Sequence, residues 1–159
     1  MRDSINKIVS HLHRYLNIPV TPANQVHKKP SYPFITYDLI TPVIEGNTFS
    51  NYEYSSTDET KTHKKVLEPE AVISFTAHHK NMFDALEVAE KAWEYLNHVG
   101  YDDLAMLNVV IVKTHNITDR TILDVDEYEY RYGFDVRIRY LKEIERTDAT
   151  IKSWGVEYD

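Results

Sequence analysis

The stretch EYEYRYGFDVRIRY, Glu127 to Tyr140, alternates strictly between apolar and polar side chains. The even positions are apolar or aromatic: Tyr128, Tyr130, Tyr132, Phe134, Val136, Ile138 and Tyr140. The odd positions are Glu127, Glu129, Arg131, Gly133, Asp135, Arg137 and Arg139. This period of two predicts a long β-strand with one buried face and one charged face. At full extension it would span about 45 Å, more than a usual strand, so we expect a bend at Gly133 or a pairing partner outside its own domain.

Composition limits the functions open to this chain of 159 residues, whose length suits one domain of ordinary size. The net charge of −7 argues against a free-standing nucleic-acid binder, because phosphate contacts need clustered Lys and Arg. The absence of cysteine excludes disulfides and thiolate metal sites. We expect synthesis in the cytoplasm, because the opening residues lack a signal-peptide pattern. We also expect no membrane partner, since no apolar run approaches the ~20 residues of a membrane span.

Two amphipathic helices are predicted around this strand. The first runs from Ser4 to about Tyr15. The second begins with Asn81 as its N-cap and ends with Gly100 as its C′ residue. The predicted buried stripe of the second helix consists of Phe83, Leu86, Ala89, Trp93 and Leu96.

Further strands are predicted over residues 34–40, 70–78 and 108–115. The order of elements predicts an α+β fold, with a mixed or antiparallel sheet covered by two main helices. We expect a single α+β domain over residues 1–142 and a polar insert over 45–65 that forms an extended β arm or a loop. Residues 143–159 are expected to form a C-terminal tail.

The histidines offer no metal site. His11 and His13 point roughly 200° apart on a helix, and His78 and His79 lie on opposite sides of a strand. Neither pair can therefore share a metal ion. We expect ordinary surface or helix-edge histidines.

Catalytic motifs are also missing, and we expect no catalytic, cofactor-binding or metal-binding residues. Four glycines provide neither a phosphate loop nor a nucleophile elbow. An acidic cluster before the last strand consists of Asp124, Asp126, Glu127 and Glu129. It lacks the glycine and glutamate spacing of an EF-hand, so it is more simply a solvated turn.

The arginines of the last strand, Arg131, Arg137 and Arg139, have two interpretations. They form either a cross-strand salt-bridged face or an intersubunit surface whose guanidinium groups meet carboxylates of a neighbour. Both interpretations stay open, because the strand is long for an isolated domain and Arg and Tyr are enriched at interfaces.

Three segments together resemble the tail terminator or neck proteins of long-tailed bacteriophages. They are the first helix with NIPVTPANQ (Asn17 to Gln25), KKPSYPFITYDLITP (Lys28 to Pro42) and YEYRYGFDVRIRY (Tyr128 to Tyr140). The resemblance covers roughly residues 1–142. It implies a structural virion protein, not an enzyme, that forms a homohexameric ring on the head-proximal end of the tail tube. In that family the ring stops tube polymerisation and meets a head-completion protein.

Within such a ring we expect a subunit interface and an acidic bore. The interface hypothesis names Arg131, Arg137, Arg139, Tyr52 and Tyr54. The bore hypothesis names Glu45, Glu53, Asp58 and Glu59. Six copies at −7 each would carry −42, and an acidic bore would let DNA pass without specific binding.

Two other functions remain as alternatives. A nucleic-acid-binding α+β module would stack bases on Tyr128, Tyr130 and Tyr132, as sheet aromatics do in RNA-recognition domains. A small hydrolase with an unrecognised site would have a deep pocket with convergent polar groups.

Overall fold

The computed structural model describes residues 1–24, 28–44, 51–56, 60–124 and 127–149. Within these ranges the helices are α1 (Arg2–Leu16), α2 (Met82–Glu94) and α3 (Tyr101–Met106), and a π-helical turn, Tyr95–Val99, joins α2 to α3. The strands are β1 (Val20–Pro22), β2 (Phe34–Ile44), β3 (Asn51–Ser56), β4 (Thr60–Leu67), β5 (Glu70–His79), β6 (Val109–Thr114), β7 (Thr118–Asp119), β8 (Ile122–Asp124), β9 (Glu127–Tyr140) and β10 (Lys142–Ala149). The predicted α+β class is confirmed.

The main sheet has the strand order β1-β2-β5-β9-β6, and β7 and β8 also pair with β9. The β1–β2 pair is parallel, whereas the pairs β2–β5, β5–β9 and β6–β9 are antiparallel. The sheet is therefore mixed. The register of β9 with β5 continues without a shift through Gly133. The long strand thus needs neither a break in this ladder at Gly133 nor a partner from outside the chain.

The alternation of β9 places one set of its side chains in the core. Phe134, Val136 and Ile138 are buried and lie opposite Phe75, Ile73 and Ala71 of β5. The helices contribute their buried residues to the same cluster, among them Ile8 and Leu12 of α1 and Ala89 and Ala92 of α2. Each large apolar side chain buried in this way contributes roughly 1.5–3 kcal/mol. The prediction of two main helices over one sheet face is confirmed.

The buried stripe of the second helix agrees with the prediction at Ala89 and Leu96 and differs from it at Phe83. Asn81 is the N-cap, and its side chain accepts hydrogen bonds from the Phe83 and Asp84 amides. The buried positions in α2 and its π-helical turn are Ala85, Ala89, Ala92, Tyr95 and Leu96. Phe83, predicted to be buried, is 70% exposed. It lies two residues from Ala85, about 200° around the helix, so both cannot face the sheet.

The helical segment ends at Gly100, close to the prediction, but without the expected left-handed C′ conformation. The φ of Gly100 is −91°, and the chain continues directly into α3. A Cβ at this position would overlap with Cζ of the Tyr95 ring. The glycine is required by the close approach of that ring.

A second, three-stranded sheet extends the β5–β9 ladder, and we call it the arm. Its order is β10-β4-β3, with both pairs antiparallel. The β3–β4 hairpin confirms the β arm predicted for the polar insert. The pairing of β10 was missed, because residues from 143 onward were assigned to a tail. Three of the predicted bore-facing residues, Glu45, Asp58 and Glu59, lie outside the described residues.

Candidate assembly surfaces

The uncovered face of the main sheet carries a buried carboxylate between two arginines. Glu70 is 5% exposed and accepts hydrogen bonds from Arg137 Nε and, at 2.8 Å, from Arg139 Nη2. Arg139 lies directly opposite Glu70 in the β5–β9 register. These hydrogen bonds, that of Arg139 foremost, lower the pKa of Glu70. Both arginine side chains remain 41% exposed, so each is paired within the chain and still accessible to a partner.

Arg131, the third predicted interface arginine, belongs to a separate cluster around Glu129. The Glu129 carboxylate is 3% exposed and lies 2.9 Å from His78 Nδ1, Lys29 Nζ and Arg131 Nη2. Burial by itself raises the pKa of Glu129, but the hydrogen bonds from Lys29, Arg131 and His78 outweigh it and lower the pKa to about 2. We call these four side chains the Glu129 hub. The hub attaches the chain segment that precedes β2, through Lys29, to the sheet.

His78 connects the hub to the neighbouring strand. Its Nε2 lies 2.8 Å from Oγ1 of Thr36, and its ring stacks on Phe34 at a centroid distance of 4.5 Å. Burial lowers the pKa of His78, so the ring is neutral at pH 7. The Glu129 carboxylate favours the tautomer with a proton on Nδ1, which leaves Nε2 to accept from the threonine hydroxyl.

Hydroxyl, imidazole and carboxylate here follow the order of a hydrolytic triad, yet their surroundings favour a structural role. Lys29 and Arg131 already neutralise Glu129, which weakens its support of an imidazolium. Thr36 is paired with β1 on one side and β5 on the other. Its backbone is thus part of the ladder rather than of an oxyanion hole.

The hub borders a cleft of about 240 Å³, lined by Thr21, Pro22, Ala23, Asn24, Lys28, Lys29, Pro30, Phe34, Thr36, His78, Glu129 and Arg131. His78 was predicted to be an ordinary surface or helix-edge histidine and Glu129 to lie in a solvated turn; both predictions were wrong, because both side chains are buried. The parity of the strands puts His78, Glu129 and Arg131 on one face. Their proximity depends on the β5–β9 register, which the sequence pattern does not give.

Arg120 forms another polar contact on this face that the sequence analysis missed. Its guanidinium donates to Ser74 at 2.7 Å, to Thr76 at 2.9 Å and to Asp135 at 3.0 Å. A Cβ on Gly133 would lie 2.8 Å from Arg120 Nη1 and 2.6 Å from the Phe75 carbonyl oxygen. Gly133 therefore makes room for Arg120.

The arm has two chemically different faces, which follow from its register. Tyr52, Tyr54 and Ile144 share one face with Lys61, Lys65, His63 and Arg146, and we call it the aromatic face. The other, which we call the acidic face, carries Glu53, Glu143 and Glu145 around Lys64. Lys64 pairs with Glu143 at 3.0 Å, which raises the lysine pKa.

Both predicted interface tyrosines are exposed on the aromatic face. Tyr52 is 54% exposed and Tyr54 is 69% exposed, and their rings stack at a centroid distance of 6.4 Å. Lys65 lies 5.4 Å above the Tyr52 ring, and His63 meets the Tyr54 ring edge-on. The structure thus places Glu53, the one described member of the bore set, on the face opposite the two tyrosines.

Among the described residues no cluster of His, Cys, Asp and Glu could hold a metal ion. Within the same residues, every helix is too short or too polar to cross a membrane.

A family model described as "Phage neck terminator protein" matches residues 1–157 of the chain. No curated protein matches the chain.

Proposed function

Because the chain belongs to the phage neck terminator family, a family of structural proteins of the virion neck, we propose that it caps the head-proximal end of the tail tube. There it stops tube polymerisation and provides the surface for joining the head. Its partners in this role are further copies of itself in a homohexameric ring, the tail tube protein and a head-completion protein. DNA passes through the bore without specific binding.

The observation that carries this proposal is the arm, a three-stranded sheet that continues the central ladder and exposes Tyr52 and Tyr54. A closed ring with heterologous contacts needs two different complementary surfaces on every subunit. An extended β element with exposed aromatic residues on one face is suited to provide one of them. The paired but accessible Arg137 and Arg139 provide a second candidate contact.

The negative net charge of the chain supports the proposal that DNA passes through the ring without binding to it. With a net charge of −7 per copy, a ring would repel phosphates wherever its acidic groups line the bore. Glu53 on the acidic face stays our candidate for such a position. Two observations weigh against the alternative functions: of the three tyrosines, Tyr132 packs against the core, and the Glu129 hub is internally neutralised.

Electron microscopy of virions assembled without this protein tests the proposal. We expect overlong tails or tails that are not joined to heads, and complementation with the intact chain should restore normal particles. Normal tail length together with normal joining in its absence would contradict the proposed role.

A further inference from the structure

The aromatic face of the arm combines apolar area with unneutralised positive charge. Arg146 pairs with Asp148 at 2.7 Å, whereas Lys61 and Lys65 have no carboxylate within 4 Å among the described residues. Tyr54, Lys61 and His63 also line a small cleft of about 220 Å³ on the hairpin. This face therefore offers the ammonium groups of Lys61 and Lys65 without a carboxylate partner in the described part of the chain, beside stacked tyrosines and Ile144, while Asp148 on the same face pairs with Arg146 and His63.

A surface of opposite character lies along the exposed edge of α2. A cleft of about 300 Å³, which we call the helix-edge cleft, is lined by Glu90, Trp93, Glu94, Asn116 and Ile117. Neither glutamate forms an ion pair within the described residues. The Trp93 indole is fixed by a 3.0 Å hydrogen bond from its Nε1 to the His115 carbonyl oxygen. The cleft thus presents two free carboxylates beside a fixed aromatic ring and Ile117.

The two surfaces lie at different positions along the β9–β10 path. Ile117 precedes Thr118, which pairs with Gly133 of β9, whereas the arm begins beyond Tyr140 and Arg146 lies further along β10. From Gly133 to Arg146 the ladder would span about 40 Å if it ran straight. The arm continues from the ends of β5 and β9, beyond the helix-covered main sheet, which we call the body, and this position makes its face available to a neighbouring copy.

We propose that the aromatic face of one copy docks on the helix-edge cleft of the next copy. Lys61 and Lys65 meet Glu90 and Glu94, and the tyrosines and Ile144 cover Trp93 and Ile117. This inference rests on the proposed ring, for which it names the two heterologous surfaces. The charges set the choice of partner and the orientation, and the aromatic and aliphatic groups provide the buried area.

A charge-swap experiment on the full chain tests this docking. The arm variant carries Lys61→Glu and Lys65→Glu, the helix variant carries Glu90→Lys and Glu94→Lys, and a third protein carries all four changes. Self-association is measured by sedimentation velocity, with and without tail tubes. We expect each two-site variant to associate at least about tenfold more weakly than the unmodified chain and the four-site variant to recover most of the loss.

Glu145→Lys is the matched control, because this residue lies on the same arm but on the acidic face. It should leave association unchanged, and circular dichroism should show that all variants are folded. Association that is indifferent to both charge reversals, or four-site variants that fold but do not recover, would overturn the inference while leaving the ring intact.

Two further outcomes are also decisive. An arm variant that loses tube binding while the helix variant keeps it would assign the aromatic face to the tube protein and overturn docking between copies. An unmodified chain that stays monomeric even on tail tubes would overturn both the ring and the docking.

Discussion

The helix-covered sheet and the arm are two sheets that follow one another along the same pair of chain segments, but they are stabilised differently. The ladder of β5 with β9 passes into that of β4 with β10 around Glu68, Pro69 and Leu141, where the Tyr140 amide donates to the Pro69 carbonyl at 3.1 Å. The sheet buries Phe75, Phe134 and their neighbours, whereas no described residue of the arm belongs to the buried core. The body therefore provides most of the buried area that stabilises the fold, whereas the side chains of the arm are exposed and available for contacts with other molecules.

The largest expected effect is in the core of the body. Phe134→Ala removes a side chain that is 1% exposed between the sheet and the helices, and should lower the free energy of unfolding by about 3–5 kcal/mol. Urea denaturation followed by circular dichroism measures this loss. Tyr128→Ala is the matched control on the same face of β9. Tyr128 is 60% exposed, so its loss should stay below about 1 kcal/mol, and equal losses would contradict this account of the core.

The alternation of β9 was enough to predict this core, because residue parity alone decides which side chains share a face. It was not enough to predict the Glu129 hub. That cluster combines a loop lysine, a histidine of β5 and two residues of β9, and only the strand register brings them together. The strand β10 was missed because its sequence shows no alternation of apolar and polar residues. Its sequence, KEIERTDA, is so polar that no buried face marks it, and its pairing with β4 defines it.

The next largest effect is expected at the hub. Glu129→Gln leaves Lys29 and Arg131 without their carboxylate, and should cost about 2–3 kcal/mol at pH 7. The control Glu127→Gln changes a carboxylate on the same strand whose side chain is 79% exposed, and that change should cost no more than about 0.5 kcal/mol. Urea denaturation of both variants, carried out in parallel, measures these two losses in the free energy of unfolding. Similar values for both variants would mean that the hub does not stabilise the body.

The hub should also make the body sensitive to acid. The pKa of Glu129 falls from 4.5 to about 2 on folding, so its contribution is complete above about pH 4.5 and is lost as the pH falls toward 2. The pKa of His78 is also lowered, so protonation of the unfolded chain reduces stability as the pH falls below about 6.5. Unfolding titrations from pH 7 to pH 3 should bring Glu129→Gln and the unmodified chain closer together below pH 4.5. A constant difference across that range would exclude Glu129 as the source.

The smallest effect on stability, and the sharpest contrast with the body, is expected in the arm. Tyr54 and Ile144 are 69% and 44% exposed, so replacing both by alanine should change the free energy of unfolding by less than about 1 kcal/mol. The same double variant should weaken assembly by about tenfold or more, because an interface depends on its aromatic and aliphatic contacts far more than the monomer does.

Thr147→Ala, on the acidic face of the same strand, provides a control that should leave stability and assembly unchanged. Sedimentation velocity and urea denaturation on the same preparations separate the two properties. If stability and assembly both fell in the double variant, the arm would contribute to the stability of the body. The proposal that the body stabilises the fold while the arm serves assembly would then be wrong.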